Sequence, residues 1–213
     1  MNFELFVKSV SKIKNMPLPG SVAQYKMAPM ERLAELKKIA LKTKNPKKAA
    51  VLSLFYPDPN GNTNLILILR KTYRGVHSNQ VGFPGGKPEK LDADLEATAL
   101  RETNEEIGVQ PGAIEVLREL SDIYIPPSNF IVRPFFGLTH STPIFKAQED
   151  EVADLIEVSI KDFLSEKAVV LKTITTSYAT DIQVPAFKLN NHVVWGATAM
   201  MLSEIKELLI KVL

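Results

Sequence analysis

Three glutamates at helical spacing are the strongest chemical signal in the sequence. Glu102, Glu105 and Glu106 stand at i, i+3 and i+4, so a helix would place their carboxylates on one face, a single turn apart. Like charges at this spacing destabilise an isolated helix, by about 0.2–0.5 kcal/mol per pair. A divalent cation would compensate, because Mg²⁺ prefers carboxylate oxygens and completes its coordination with water and substrate phosphate. The spacing therefore predicts metal-assisted chemistry at a phosphate group.

The residues before this helix bear on the same question. Residues 83–86 read FPGG, and two glycines would let the backbone approach a metal or a phosphate where a side chain would obstruct it. Gly85 and Gly86 are therefore candidate substrate-binding residues. Two plainer interpretations stay open: the glutamates could form a solvated helix face, and the glycines a tight turn after a short strand.

The glutamates lie in a predicted helix from Asp92 to Ile107, which ends at Gly108, a residue suited to the left-handed conformation past a helix end. Leu100 and Ile107 fall on another face, about 140° away at ~100° per residue. That face would pack on a sheet, so we expect the three carboxylates to face outward into a cleft.

Strand patterns on both sides of this helix predict an α+β fold, a mixed sheet with helices against it and no internal repeat. Two strands joined by the hairpin turn PDPNGN precede the helix, at 49–56 and 64–69. The later elements are strands at 114–120, 130–138, 152–158, 169–174 and 184–189, and a closing amphipathic helix at 197–212.

Composition excludes several classes of protein. The chain has 213 residues, 45% of them hydrophobic, and a net charge of +2, which is typical of a globular domain and demands no polynucleotide partner. The absence of cysteine rules out disulfides, thiolate metal sites and a cysteine nucleophile, and it fits a reducing cytoplasm. No apolar run is long enough to span a bilayer or to act as a signal peptide, so we expect a cytoplasmic protein without membrane contact.

The first 47 residues are predicted to form a helical arm of two pieces, broken at Pro17 and Pro19. We expect a single domain over 1–213, made of this arm, a core over 48–190 and the closing segment 191–213. The second piece carries apolar residues at helical spacing, namely Met30, Leu33, Leu36 and Ala40. A cluster of lysines in the same region is interpreted as a solvated helix face and loop, and it comprises Lys37, Lys38, Lys42, Lys44, Lys47 and Lys48.

The stretch from Gly86 to Val109 resembles the Nudix box, which reads Gly, five residues, Glu, seven residues, then Arg-Glu-apolar-x-Glu-Glu-x-Gly-apolar. Gly86 matches its first glycine, and residues 101–109 match its second half without a gap. Asp92 occupies the position of the first Glu, one residue further from Arg101, and Thr103 replaces an apolar residue. The resemblance implies the Nudix fold, with a mixed sheet sandwiched between helices in an α/β/α arrangement.

The surrounding segments are similar to the coenzyme A diphosphatase branch of this family, whose signature runs from a Leu-rich strand ending in Arg, through a second Arg, to FPGG. The strand NLILILR ends here at Arg70, and Arg74 follows. Arginine donors suit phosphate oxygens, so both are candidate substrate ligands, with ordinary surface salt bridges as the alternative. His77, in the same loop, is interpreted as a polar loop residue.

The resemblance implies a division of roles among the site residues. Glu102, Glu105 and Glu106 would hold Mg²⁺ or Mn²⁺, and the Gly86 carbonyl would complete the metal shell. Glu151 would add an acid from a later loop, with Glu149 and Asp150 as competitors for that role and a solvated acidic turn as the plainer interpretation of all three. Glu102 is also the candidate for accepting a proton from the attacking water or positioning it. Arg101, assigned to catalysis with it, would orient the cluster by pairing with a carboxylate. Trp195 is expected to pack and not to stack on a base.

The function implied is hydrolysis of coenzyme A or a derivative to adenosine 3′,5′-bisphosphate and 4′-phosphopantetheine. Two alternatives remain: a Nudix hydrolase of another nucleoside-diphosphate-linked substrate such as ADP-ribose or NADH, and a non-catalytic nucleotide-binding regulator. The intact carboxylates argue against the regulator, as do the short stretches before residue 48 and after residue 189. An isomerase on the same fold would be expected to use a cysteine. A homodimer formed through the arm is left open.

Overall fold

The structure of the protein is a computed structural model that describes residues 1–29, 45–72, 79–176 and 179–213, without the side chains of residues 175–180. The second piece of the predicted arm lies outside these ranges, as do Arg74 and His77. The predictions for those residues therefore stay predictions.

The described chain contains α-helices and short 3₁₀ turns. The α-helices are α1 (Phe3–Val10), α2 (Ser21–Gln24), α3 (Leu95–Ile107), α4 (Ile160–Leu164) and α5 (Gly196–Val212). The 3₁₀ turns are Ser11–Asn15, Tyr25–Met27, Pro111–Ala113, Pro126–Ser128 and Glu166–Ala168. Within the described ranges, the helices lack the length and apolar character needed to cross a membrane.

The strands form two sheets. They are β1 (Lys47–Pro57), β2 (Thr63–Arg70), β3 (Val81–Gly82), β4 (Gly85–Gly86), β5 (Glu115–Glu119), β6 (Ile123–Ile125), β7 (Phe130–Leu138), β8 (Val152–Ser159), β9 (Val169–Thr176), β10 (Ala179–Leu189) and β11 (His192–Val194). The main sheet has the order β3-β2-β1-β7-β5, with β4 on β1, β6 on β7 and β8 on β2. The pairing of β1 with β7 is parallel and that of β1 with β2 is antiparallel, which confirms the predicted mixed sheet. The second sheet has the order β11-β10-β9.

Strand β1 is buried on both faces, and its alternating side chains belong to two cores. Val51 and Phe55 pack in the core that includes α1 and α5. Leu52 and Tyr56 pack in the core that includes α3. Because successive side chains of a strand point to opposite faces, one strand anchors helices on both sides of the sheet. This gives the predicted sandwich of helix, sheet and helix.

The N-terminal segment docks on α5 through buried polar contacts. Glu204 of α5 is fully buried and accepts hydrogen bonds from the Gly20 backbone N–H at 3.1 Å and from Gln24 Nε2 at 3.0 Å. On the same helix, the Ser203 hydroxyl donates to the Ala23 carbonyl at 2.8 Å. The described part of the arm is thus held against the body of the protein and forms part of its core.

The structure corrects the predicted start of the central helix. We expected it to begin at Asp92, but α3 begins at Leu95, because the Asp94 side chain caps it by accepting the Ala97 N–H at 2.8 Å. Asp92 lies before the cap and has another role, described below. At the other end Gly108 has φ +78°, the left-handed conformation expected from its residue type.

Candidate active site

Helix α3 presents its carboxylates at different depths. The Glu105 side chain is 54% exposed, Glu102 is 16% exposed and Glu106 is 2% exposed. The expectation that all three face outward into a cleft is therefore wrong for Glu106. Its Oε2 accepts the Gly85 N–H at 2.8 Å, which turns the side chain beneath β4 and away from solvent.

Thr103, which departs from the apolar residue of the Nudix box, is fully buried in the same helix. Its hydroxyl donates to the Ala99 carbonyl one turn earlier, at 2.7 Å. A buried hydroxyl costs little once its hydrogen bond is made, so threonine fills this position without an unpaired polar group.

Arg101 contacts three acidic side chains. Its Nε donates to Asp92 Oδ1 at 3.0 Å and its Nη1 donates to Glu105 Oε2 at 2.8 Å. Its Nη2 donates to Glu102 Oε1 at 3.2 Å and to Asp92 Oδ2 at 3.1 Å. The hydrogen bond from Arg101 holds the pKa of Asp92 well below its usual range, aided by donors from the Glu89 N–H and the Thr98 hydroxyl. Asp92 therefore fixes the arginine that contacts two of the candidate metal ligands.

The two glycines of β4 are required by close packing between β1 and α3. A Cβ at Gly85, whose φ is +149°, would lie 2.6 Å from Val51 Cα, and one at Gly86 would overlap the Glu102 carboxylate. Strand β4 pairs with β1, with Gly86 opposite Ala50. Gly86 thus lets the Glu102 carboxylate lie directly against the backbone, and the predicted contact of the glycines with a metal or phosphate stays a prediction.

Arg70, at the end of β2, contacts this glycine strand and α3 together. Its Nη2 donates to the Gly85 carbonyl at 2.8 Å, and its Nη1 lies 3.3 Å from Glu106 Oε1. Oε1 itself is buried and accepts no hydrogen bond from any described residue, so its contact with Arg70 is one of charge alone. Burial raises the pKa of Glu106 to about 7, while Arg70 and the Gly85 N–H oppose the rise.

A later loop brings Glu151 to the same cleft, and its predicted role as an additional metal ligand stays a prediction. The loop is fastened to α3 by a hydrogen bond from the Gln148 N–H to the Glu106 carbonyl at 3.0 Å. It is fastened to the residue after β2 by a bond from the Lys71 N–H to the Glu151 carbonyl at 2.8 Å. Burial raises the pKa of Glu102, and the negative charges of Glu105 and Glu151 add to this against the pull of Arg101.

The site opens on a cleft of about 1010 Å³. The polar residues that line it include Glu102, Glu105, Glu151, Arg70, Gly85 and Gly86. The same cleft is lined by an apolar wall, whose residues include Ile174, Ile182, Val184, Trp195, Met200 and Met201. Trp195, predicted to pack, is partly exposed on this wall. Sequence reasoning missed this wall, because apolar residues that line a cleft follow the same periodicity as residues of a core.

The donor set fits a hard divalent cation. Carboxylate oxygens from Glu102, Glu105 and Glu151 open on one cleft, and the buried Glu106 Oε1 lacks a hydrogen-bond donor. In the described ranges, acidic and histidine side chains are not already gathered in threes as a formed metal site. Three of these carboxylates form ion pairs with arginine: Glu102 and Glu105 with Arg101, and Glu106 with Arg70.

Comparisons with known proteins show the family to which the chain belongs. Residues 44–176 match the model of the NUDIX domain family. A protein of Pectobacterium atrosepticum described as an uncharacterized Nudix hydrolase, NudL, is 32% identical over 172 residues, which cover 75% of this chain and 81% of that protein. One from Yersinia enterocolitica with the same description is 37% identical over 122 residues, 56% of this chain and 60% of that protein. The chain belongs to the Nudix family, whose hydrolases act on phosphorus-containing anhydrides.

Solved structures with low sequence identity share the fold. The Nudix hydrolase RenU of Mycobacterium smegmatis matches with a TM-score of 0.54 and 15% identity, over 79% of this chain and 88% of that one. A MutT/nudix family protein of Enterococcus faecalis matches with a TM-score of 0.51 and 16% identity, over 81% and 67%. The Nudix fold is therefore confirmed.

Proposed function

We propose that the protein hydrolyses the diphosphate bond of coenzyme A or a derivative, releasing adenosine 3′,5′-bisphosphate and 4′-phosphopantetheine. The observation that carries the proposal is that one cleft is lined both by the carboxylates and glycines and by many apolar residues. The resemblance of the segment from Arg70 to FPGG to the coenzyme A diphosphatases directs the choice of substrate. The lack of cysteine fits action in a reducing cytoplasm.

Glu102, Glu105, Glu106 and Glu151, with the Gly86 carbonyl, would hold Mg²⁺ or Mn²⁺. When bound, the metal would neutralise diphosphate charge and lower the pKa of a water molecule. Glu102 accepts the proton of the attacking water, a role that suits a carboxylate whose pKa is raised by burial. Arg101 keeps Glu102 and Glu105 oriented through its own anchor on Asp92.

The cleft is large enough for an extended nucleotide substrate. Ligand pockets commonly measure about 300–1,000 Å³, and this cleft lies at the upper end of that range. Gly85, Gly86 and Arg74 are the proposed contacts for the phosphates, and the apolar residues of the cleft would accept the part of the substrate beyond the diphosphate. A substrate such as ADP-ribose or NADH is the second candidate, because the partly exposed Trp195 ring could also take a flat aromatic base.

A substrate panel tests the proposal. The purified chain is incubated with Mg²⁺ and coenzyme A, ADP-ribose, NADH, diadenosine polyphosphates or nucleoside triphosphates, and the products are identified by mass spectrometry. We expect coenzyme A to give the highest kcat/KM. If coenzyme A is not cleaved while ADP-ribose is, the assignment to the coenzyme A diphosphatase branch is wrong, but hydrolysis of a diphosphate bond is retained. If no member is cleaved, and Glu105→Gln binds nucleotide as tightly as the unchanged chain does, the regulatory alternative replaces the proposal.

A further inference from the structure

Arg70 connects three separate elements of the active site. It is the last residue of β2, its Nη2 donates to the Gly85 carbonyl of β4, and its Nη1 faces Glu106 of α3. Gly85 in turn donates its N–H to Glu106 Oε2. The three groups form a closed set of contacts in which each touches the other two.

We propose that Arg70 is a positioning residue that holds β4 and the Glu106 carboxylate in register, in place of the phosphate ligand that the sequence suggests. The inference rests on the proposed metal site, because Glu106 and Gly86 are the groups whose positions it would fix. Arg70 would act by holding β4 and Glu106 in place, and it need not touch the substrate.

The geometry favours positioning because Nη2 of the guanidinium donates to the Gly85 carbonyl and Nη1 lies 3.3 Å from the Glu106 carboxylate. A planar fork can serve a carbonyl and a carboxylate together, whereas a lysine ammonium acts as a single point charge. A phosphate that recruited Arg70 would have to take it from Glu106, which is 2% exposed and has little access to water as a replacement partner.

The consequences of losing Arg70 fall on β4. The Gly85 carbonyl would lose its donor, and Glu106 would lose the positive group beside it. Gly85 cannot settle closer to β1, because Val51 already lies against it. The expected movement is therefore of β4 relative to α3, which would carry Gly86 away from Glu102.

Amide hydrogen exchange of the full chain, free of metal and substrate, tests this directly. Exchange is followed residue by residue by NMR in the unchanged chain, Arg70→Met, Arg70→Lys and the control Arg133→Met. Arg133 also pairs with two carboxylates, Asp122 and Glu119, on another part of the protein. We expect Arg70→Met to raise exchange of the Gly85 amide roughly 10- to 100-fold while amides of β7 stay unchanged, and Arg70→Lys to restore little of it.

Kinetics with coenzyme A at saturating Mg²⁺ give the second readout. Positioning predicts that Arg70→Met lowers kcat roughly 10- to 100-fold with KM within about twofold of the original. The proposal is overturned if Gly85 exchange is unchanged and KM alone rises, which is the signature of a phosphate ligand. It is also overturned if exchange rises uniformly over the chain, or if Arg70→Lys restores both readouts. Failure of coenzyme A as a substrate would leave the exchange measurement intact and would count against the proposed function alone.

Discussion

Burial raises the pKa of Glu102, and the neighbouring Arg101 lowers it. As the proposed proton acceptor it should be the carboxylate whose loss costs most. We expect Glu102→Gln to lower kcat by about 10²- to 10⁴-fold at saturating Mg²⁺, the range that one general base contributes. Glu4→Gln, at an exposed position of α1, is the matched control and should keep full activity. A Glu102→Gln protein with more than half the original kcat would remove Glu102 from this role.

Glu106 makes the stability of the metal-free protein depend on pH. Its pKa is about 7 in the folded chain and about 4.3 in an unfolded one. Between these values the folded state binds more protons, so the free energy of unfolding falls as pH rises from about 4.3 to 7 and levels off above that. The contribution is on the order of 2–3 kcal/mol.

Urea unfolding with a chelator at pH 5 and at pH 8 measures this contribution. The unchanged chain should lose more stability over that interval than Glu106→Gln, in which the group cannot titrate while all the others still do. A loss of equal size in both proteins would show that the Glu106 carboxyl is not perturbed.

Strand β4 depends on the absence of side chains, so a single methyl group should disable it. We expect Gly86→Ala to lower kcat at least about tenfold, because its Cβ would occupy the space of the Glu102 carboxylate and displace the group proposed to touch the water. Gly112→Ala is the control, since a Cβ there meets nothing within 4 Å. Similar activity in the two variants would contradict the packing described for Gly86.

The elements differ in how far the sequence could predict them, for physical reasons. Strand β7 is predicted at its observed limits, because its nine residues form a mostly apolar run of sufficient length. Strands β4 and β6 are two and three residues long and offer no periodicity, so they were missed. The carboxylates of α3 followed from spacing within one helix, but the contact of Arg70 with Gly85 and Glu106 joins three elements. Such a contact is set by tertiary packing, and residue types near Arg70 do not reveal it.

At the scale of the whole molecule, the N-terminal segment should contribute measurably to stability through Glu204. We expect Glu204→Ala to lower the free energy of unfolding by roughly 1–3 kcal/mol, because the Gly20 N–H would be left buried without its acceptor and Gln24 would lose one of its two. Lys211→Ala, exposed near the end of the same helix, should change it by less than about 0.5 kcal/mol. Equal effects in urea titrations would mean that the docking contributes nothing specific.

The docking of α1 and α5 on the sheet also decides how short a working version of this protein can be. The span recognised as the family domain, 44–176, ends before α5 begins and starts after α1 ends. A recombinant fragment cut to those limits would leave the stacked rings of Phe55 and Phe136 without Phe6, which packs on Phe55 with ring centres 5.2 Å apart. Such a fragment would expose these aromatic rings to water and tend to aggregate, and it would also lack the helix that supplies Met200 and Met201 to the lining of the cleft.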